Sequence, residues 1–249
     1  MNENCIYFLI PTFNEGDVTK LVLGIKSDTK ELNNYQIDVR LIDDGSSIST
    51  TCNVESTPNF SVRVDKLAVN LGPGGAFANG FRTLPSNLSD QDIVILLEGD
   101  GTSDLKLIPK MINRLNEMPD GYDLVLASPY TFGGNLKSIS LFRRILSSIA
   151  NESSRLILDL RGLWTLSSFF RVARGSSINK LQRMYGEEII LSNGFECMVE
   201  FLVKCKSLDF TISEVASTVD QNNRAGRSRM KIFKTIFGYL KVWNIAKKL

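Results

Sequence analysis

Cys5-Ile6-Tyr7-Phe8-Leu9-Ile10-Pro11-Thr12-Phe13-Asn14-Glu15 opens with six uncharged, mostly apolar residues and ends in a proline, a turn and an acid. A short apolar run bounded by turn signals reads as a strand buried on both faces, the kind found in parallel sheets covered by helices. The same pattern recurs along the chain. Residues 37–42 run into Asp43-Asp44-Gly45-Ser46, and residues 93–97 run into Glu98-Gly99-Asp100. Residues 61–64 and 123–127 read as two more strands, and helical periodicity fills 18–31, 76–84 and 107–116. Strands alternating with helices predict an α/β fold with a mostly parallel sheet flanked by helices. The second half is less regular: helices are expected over 141–158 and 194–206, strands over 168–172 and 210–215, and a polar loop over 220–228.

Parallel strands bring their carboxyl ends to one edge of the sheet, and ligands of open α/β sheets bind outside that edge. Glu15, Asp43, Asp44, Glu98 and Asp100 are therefore expected to converge on one crevice. A single Asp at a strand end can be a helix cap. Three acidic strand ends in succession repel one another and call for a cation or bound hydroxyls. Glu98 and Asp100 stand two residues apart, so in an extended segment both side chains point the same way and can reach one ion. Oxygen ligands suit Mg²⁺ or Mn²⁺, which would neutralise a diphosphate leaving group.

The 249 residues suffice for one α/β domain with a full core, and 43% hydrophobic content with mixed charge excludes a disordered chain. Histidine is absent, which removes Ser-His-Asp triads, Cys-His pairs and His-bearing zinc sites. Cys5, Cys52, Cys197 and Cys205 show no Cys-x-x-Cys spacing, and Cys5 and Cys197 are expected to pack as small hydrophobes in a reducing compartment. Asn70-Leu71-Gly72-Pro73-Gly74-Gly75-Ala76-Phe77-Ala78-Asn79-Gly80 opens a helix, but a dinucleotide fingerprint belongs after the first strand and this run follows the third. Its glycines are expected to permit close helix packing and close approach of a nucleotide. No Gly-Lys-Ser/Thr occurs, so a Walker A loop is excluded. A sugar nucleotidyltransferase would carry a glycine-rich basic loop directly after the first strand, where this chain has Pro11 to Glu15. No secretory signal is visible and no uncharged apolar stretch approaches the about 20 residues that span a bilayer, so a cytoplasmic location is expected.

The ordered set of segments Pro11-Thr12-Phe13-Asn14-Glu15, Asp43-Asp44-Gly45-Ser46, Asn70 to Gly80 and Glu98-Gly99-Asp100 resembles the family 2 glycosyltransferases of GT-A fold, most of all the dolichyl- or polyprenyl-phosphate sugar synthase branch. Ser167-Ser168-Phe169-Phe170-Arg171, Gly194-Phe195-Glu196 and Gly226-Arg227-Ser228-Arg229 are similar to later motifs of that branch. The resemblance implies a Rossmann-like nucleotide-binding sheet, a nucleoside diphosphate (NDP) sugar donor and a divalent metal. It places Pro11, Phe13, Glu15 and Asp44 on the base and ribose, with Asp43 supporting the turn and Gly72 and Gly99 in the donor-binding segments. Asp100, with Glu98, takes the metal; Arg227 and Arg229 belong to a loop that contacts phosphates. Arg143, Arg144 and Ser228 fall where the acceptor phosphate is held, and Glu196 joins Asp100 among the catalytic candidates. The chain departs from the pattern at Glu98, where the branch has Asp, at Thr102, where it often has a third ligand, and at Thr165, where an acid is usual.

From Asn222 onward there are eight basic residues and no acid, which leaves −6 on the rest of a chain whose net charge is +2. Ile232, Phe233, Ile236, Phe237, Leu240 and Trp243 recur there at helical spacing. The expected organisation is a GT-A domain over 1–220, then a flexible loop and a basic amphipathic helix over 221–249. That helix can pack on the domain or lie on an anionic membrane surface. The acidic body and the lack of a reader motif argue against nucleic acid. A phosphate acceptor is already nucleophilic, whereas a hydroxyl acceptor needs a general base. Without histidine the base candidates are Asp104, Asp159 and Glu196. The leading expectation is a metal-dependent inverting transferase acting on a polyprenyl phosphate at the inner face of the membrane. The alternatives are transfer to a glycan hydroxyl and a non-catalytic module that binds nucleotide sugars.

Overall fold

A computed structural model describes residues 4–117, 119, 121–137, 155, 157–220 and 232–247. Its strands are β1 (Asn4–Thr12), β2 (Tyr35–Asp43), β3 (Phe60–Lys66), β4 (Ile93–Leu96), β5 (Leu124–Ser128), β6 (Asn135–Lys137), β7 (Arg171–Arg174), β8 (Ile212–Ala216) and β9 (Thr218–Asp220). Seven of them form one sheet in the order β3-β2-β1-β4-β7-β5-β8, and β6 pairs with β9 separately. β7 runs antiparallel to β4 and β5, and the other pairings of the large sheet are parallel. The strand order reverses between β1 and β4, which opens a crevice beyond their carboxyl ends.

Alternation along the strands explains why both faces are covered. On β1, Ile6, Phe8 and Ile10 face one core, and Leu9 faces the other. β4 pairs Ile6 with Ile93 and Phe8 with Ile95, so Ile93 and Ile95 join the first core while Val94 and Leu96 join the second. The first core is closed by Val22 and Ile25 of α1 (Thr19–Asp28), with Ile108, Met111, Ile112 and Leu115 of α3 (Ile108–Leu115). The second is closed by α2 (Gly72–Arg82), α4 (Gly175–Tyr185), α5 (Cys197–Lys206) and α6 (Ile232–Ala246), through residues such as Phe77, Leu181, Phe201 and Val242. Each fully buried Ile, Leu or Phe contributes about 1.5–3 kcal/mol. Cys5, Cys197 and Cys205 are buried free thiols, and burial pushes the Cys5 thiol up to about 12.

Several expected boundaries shift for local reasons. α2 begins at Gly72 instead of 76, because Pro73 already holds helical φ in the first turn. The strand expected over 168–172 starts only at Arg171. That buried side chain donates to the carbonyls of Leu166, Ser168 and Met198 and bends the chain before it. The helix expected from 194 begins at Cys197. α4 and the short β6 and β9 were not expected: α4 opens Gly-Ser-Ser, a loop signature, and three-residue strands carry no periodicity. Most of the helix expected over 141–158, and residues 221–228 of the expected loop, lie outside the described residues. On α6 the expected apolar stripe included Leu240, yet Leu240 is 43% exposed while Val242 is fully buried. Gly238 also lies on the buried side, and its missing side chain lets the backbone sit directly on the Glu196 carboxylate.

Candidate active site

The crevice at the β1/β4 switch is walled by two stitched loops. Asn14, in a left-handed conformation, donates its backbone N–H to Ser46 Oγ (2.8 Å), and its Oδ1 accepts from Ser47 Oγ and Ile48 N–H, each at 3.0 Å. Thr12 O accepts from Asp44 N–H at 2.9 Å, and Thr12 Oγ1 lies 2.7 Å from Thr50 Oγ1. Across the switch, a Cβ on Gly99 would lie 2.6 Å from Pro11 O, so only glycine lets the segment after β4 close on the end of β1. Pro11, Asp43, Asp44 and Gly99, with the two acids that flank Gly99, are thus brought to one rim. Phe13 and Glu15 stand half-buried on the β1 loop beside it.

The acids of this rim are held in different ways. Asp43 is fully buried; its Oδ1 accepts from Ser46 N–H and its Oδ2 from Thr50 N–H, both at 2.9 Å. Burial alone would raise its pKa, but a hydrogen bond from the Ser46 hydroxyl, those two backbone bonds and the Lys66 charge outweigh it and leave the carboxyl below its ordinary value. Asp44, 3% exposed, accepts from Leu71 N–H at 2.7 Å and from Gly72 N–H. Burial dominates there and pushes its carboxyl up, helped by the Asp43 charge.

Glu98-Gly99-Asp100 is a turn, not the extended segment expected, because the pairing of β4 ends at Leu96. Glu98 accepts from Ser103 Oγ at 2.5 Å and Phe169 N–H at 3.4 Å. Burial raises its carboxyl above the usual range, the Ser103 bond pulls it back, and the Asp100 charge pushes it further up. Asp100 Oδ1 accepts from Thr102 N–H (3.1 Å) and Thr102 Oγ1 (2.6 Å), so Thr102 orients that acid. Among the described residues no group of three or more His, Cys, Asp or Glu side chains could hold a metal ion. Two oxygen ligands that repel each other nevertheless fit a hard cation that takes one or two carboxylates and completes its shell with water and phosphate.

The glycine-rich turn performs differently from expectation. A Cβ on Gly72 would overlap Asn193 O, and one on Gly74 would overlap Ser192 O. Asn193 O also accepts from Gly74 N–H at 3.0 Å. The space beside Gly72 and Gly74 is therefore filled by the chain's own backbone, and the free N–H groups of the α2 terminus are spent on Asp44 and Asn193. Glu196, 7% exposed, accepts from Gly194 N–H at 3.2 Å and lines a cavity of about 360 Å³ with Leu191, Ser192, Asn193, Lys241, Asn244 and Ile245. None of Glu15, Asp44, Glu98 and Asp100 lines that cavity. Asp104 accepts from Lys106 N–H at the start of a short helical turn, and Asp159 is exposed and paired with Lys206 at 2.6 Å. Arg143, Arg144, Arg227, Ser228 and Arg229 lie outside the described residues. Reading the sequence missed Glu200 and Lys204; a charged pair four apart in the otherwise apolar Cys197–Lys206 helix was the available signal.

The model of glycosyl transferase family 2 matches residues 7–182. The chain belongs to that family. It is 26% identical over 242 residues to a dolichol-phosphate mannosyltransferase of Pyrococcus furiosus, covering 94% of this chain and 61% of that protein. It is 24% identical over 226 residues to a polyprenol monophosphomannose synthase of Mycolicibacterium smegmatis, covering 89% and 79%. Among solved structures, the glucosyl-3-phosphoglycerate synthase of Mycobacterium tuberculosis in complex with Mn²⁺, UDP-glucose and phosphoglyceric acid superposes with a TM-score of 0.62 at 15% identity, covering 98% of this chain and 80% of that one. That likeness shows the fold. The family 2 chain thus carries a glycosyltransferase domain on a GT-A-type sheet, and the acids following β1, β2 and β4 sit at the carboxyl edge of that sheet's parallel strands.

Proposed function

We propose that this chain transfers a sugar, with inversion, from an NDP-sugar to a polyprenyl-phosphate-type acceptor, and that it uses a divalent cation. The observation that carries the reading is the convergence of Asp44, Glu98 and Asp100 on the rim where β1 and β4 part. Pro11, Phe13, Glu15 and Asp44 hold the nucleoside, with Asp43 bracing the turn that presents Asp44. Glu98 and Asp100 would hold Mg²⁺ or Mn²⁺, which supplies positive charge to the departing diphosphate. Ser103 and Phe169 N–H fix Glu98, and Thr102 fixes Asp100, so the acids need little reorganisation when the donor arrives. The names of the two curated relatives support the acceptor class. A phosphate acceptor also suits a chain without histidine, since its oxygen attacks without a general base. Arg143, Arg144, Arg227, Ser228 and Arg229 are assigned to phosphates on sequence alone, a task suited to guanidinium. Peripheral contact with an anionic membrane through the basic C-terminal helix belongs to the same proposal.

The test is a melting-temperature panel of NDP-sugars with and without Mn²⁺, followed by transfer assays on a polyprenyl phosphate and on a glycan. A matching donor should raise the melting temperature only with the metal present. Asp100→Ala should keep the fold and lose metal-dependent transfer; full activity in that variant would remove the metal assignment. Transfer to the glycan but not to the lipid phosphate would move the acceptor to a hydroxyl. Binding with neither transfer nor donor hydrolysis would make the chain a binding module.

A further inference from the structure

We infer that the buried Glu200–Lys204 pair positions Asp44, acting through the backbone of residues 188–193 and the first turn of α2. The inference rests on the donor reading above and adds to it two residues remote from the acidic rim. Glu200 is 0% and Lys204 2% exposed, with 2.5 Å between Lys204 Nζ and Glu200 Oε1. A buried ion pair is costly unless its remaining hydrogen-bonding positions are met. Here they are met by one stretch of irregular backbone. Glu200 Oε1 accepts from Leu191 N–H at 2.9 Å, and Oε2 accepts from Ser192 N–H at 2.8 Å. Lys204 Nζ donates to Glu188 O at 2.5 Å and Ile189 O at 3.3 Å.

The stretch so held bears directly on α2. Ser192 O and Asn193 O occupy the space beside Gly74 and Gly72, and Asn193 O accepts from Gly74 N–H. The same turn of α2 then presents Leu71 N–H and Gly72 N–H to the Asp44 carboxylate. The path from the ion pair to Asp44 is thus a run of hydrogen bonds joined by short pieces of backbone. Apolar anchoring of α5 does not need the pair, because Met198, Phe201 and Leu202 of that helix are already in the core. What apolar side chains of similar volume cannot do is hold two amide N–H groups in fixed directions.

The experiment compares the wild-type chain with the Glu200→Leu/Lys204→Met double variant and with Glu200→Gln. Calorimetry measures the binding of GDP and of UDP, each with Mn²⁺, and amide hydrogen exchange is followed at Leu71 and Gly74. Replacing a buried pair by apolar residues of similar volume is often neutral, but here it also strips partners from the Leu191 and Ser192 N–H groups and the Glu188 and Ile189 carbonyls, so the double variant is expected to fold with reduced stability, which its melting curve checks before binding is measured. It should bind the nucleotide about tenfold or more weakly, since small misplacements carry large losses. Exchange at Leu71 and Gly74 should quicken while β1 and β4 stay protected. Glu200→Gln keeps one acceptor for the two N–H groups and should recover part of the affinity. Wild-type affinity and unchanged exchange in the double variant would overturn the inference. So would equal loss of protection in β1 and β4, which would make the pair a general stabiliser. If the wild type binds neither nucleotide, ADP, CDP and dTDP are tried in the same way; failure of all of them ends the donor reading, and the positioning role is then decided by the exchange at Leu71 and Gly74 alone.

Discussion

Asp43 and Asp44 are chemically identical neighbours that the fold pushes in opposite directions. Both are desolvated and both accept two backbone N–H groups, but Asp43 adds the Ser46 hydroxyl and the Lys66 charge, which outweigh burial, whereas at Asp44 burial and the Asp43 charge prevail. The carboxyl of Asp43 is held below its ordinary value of 3.8, so its charge adds stability above that pH. That stability is lost as pH falls through the folded value. Asp43→Asn leaves one of the N–H groups of Ser46 and Thr50 facing a donor, at a cost of about 1–3 kcal/mol. In urea unfolding the wild type should exceed the variant by that amount at pH 7. The gap should narrow steadily below about pH 4, where protonation removes the same charge from the wild type. A gap that did not change with pH would mean the carboxylate charge is not what holds the turn. The sequence could place both acids at a strand end; which clasps its own turn and which is tied to the entrance of α2 depends on Ser46, Thr50 and Leu71, and Leu71 arrives from a distant segment.

Between elements, contact is decided by which glycines are crowded. Gly74 faces Ser192 O and Cys197 Cβ, and its own N–H is bonded to Asn193. Gly101 has φ +73° and nothing within 4 Å of where a Cβ would stand. Gly74→Ala should therefore drive the 191–193 segment off α2, lowering stability by about 1–3 kcal/mol and weakening nucleotide binding. Gly101→Asn should cost less than about 1 kcal/mol, because Asn tolerates the left-handed region. Chemical denaturation of the two variants side by side checks the contrast. Both residues belong to glycine-bearing turns in the sequence, and nothing local distinguishes them. The strands were legible at this scale because each alternates or runs apolar between turn residues. α4 was not, since its Gly-Ser-Ser start reads as a loop and its burial comes from packing on the sheet.

For the molecule as a whole, the C-terminal helix presents two surfaces. Val242 is buried in the core that α2, α4 and α5 share, and the backbone at Gly238 covers Glu196, while Leu240 and Lys241 are exposed. Among the described residues no helix is long and apolar enough to cross a membrane. Docking on the domain and attraction to an anionic surface can therefore occur together, through different sides of one helix. Removing residues 230–249 should lower the melting temperature by uncovering the partners of Val242. It should also reduce co-sedimentation with vesicles rich in anionic lipid, a contact that added salt should weaken. Sedimentation that the truncation leaves unchanged would exclude the membrane role of the segment.

Local pattern determined the α/β class, the strand ends that carry acids and the exclusion of histidine chemistry, because burial on two faces and residue inventory are written in short windows. Tertiary structure alone decided that the glycines of α2 receive Asn193 and Ser192, that Glu98 and Asp100 sit on a turn, and that Glu196 lies under α6 while Glu200 and Lys204 brace the loop beside Asp44. The first outcome depends on segments more than a hundred residues apart meeting at van der Waals distance, and no short window of the sequence contains both partners; the others are nearer in the chain, yet they too are fixed by how the backbone folds back on itself and not by local pattern.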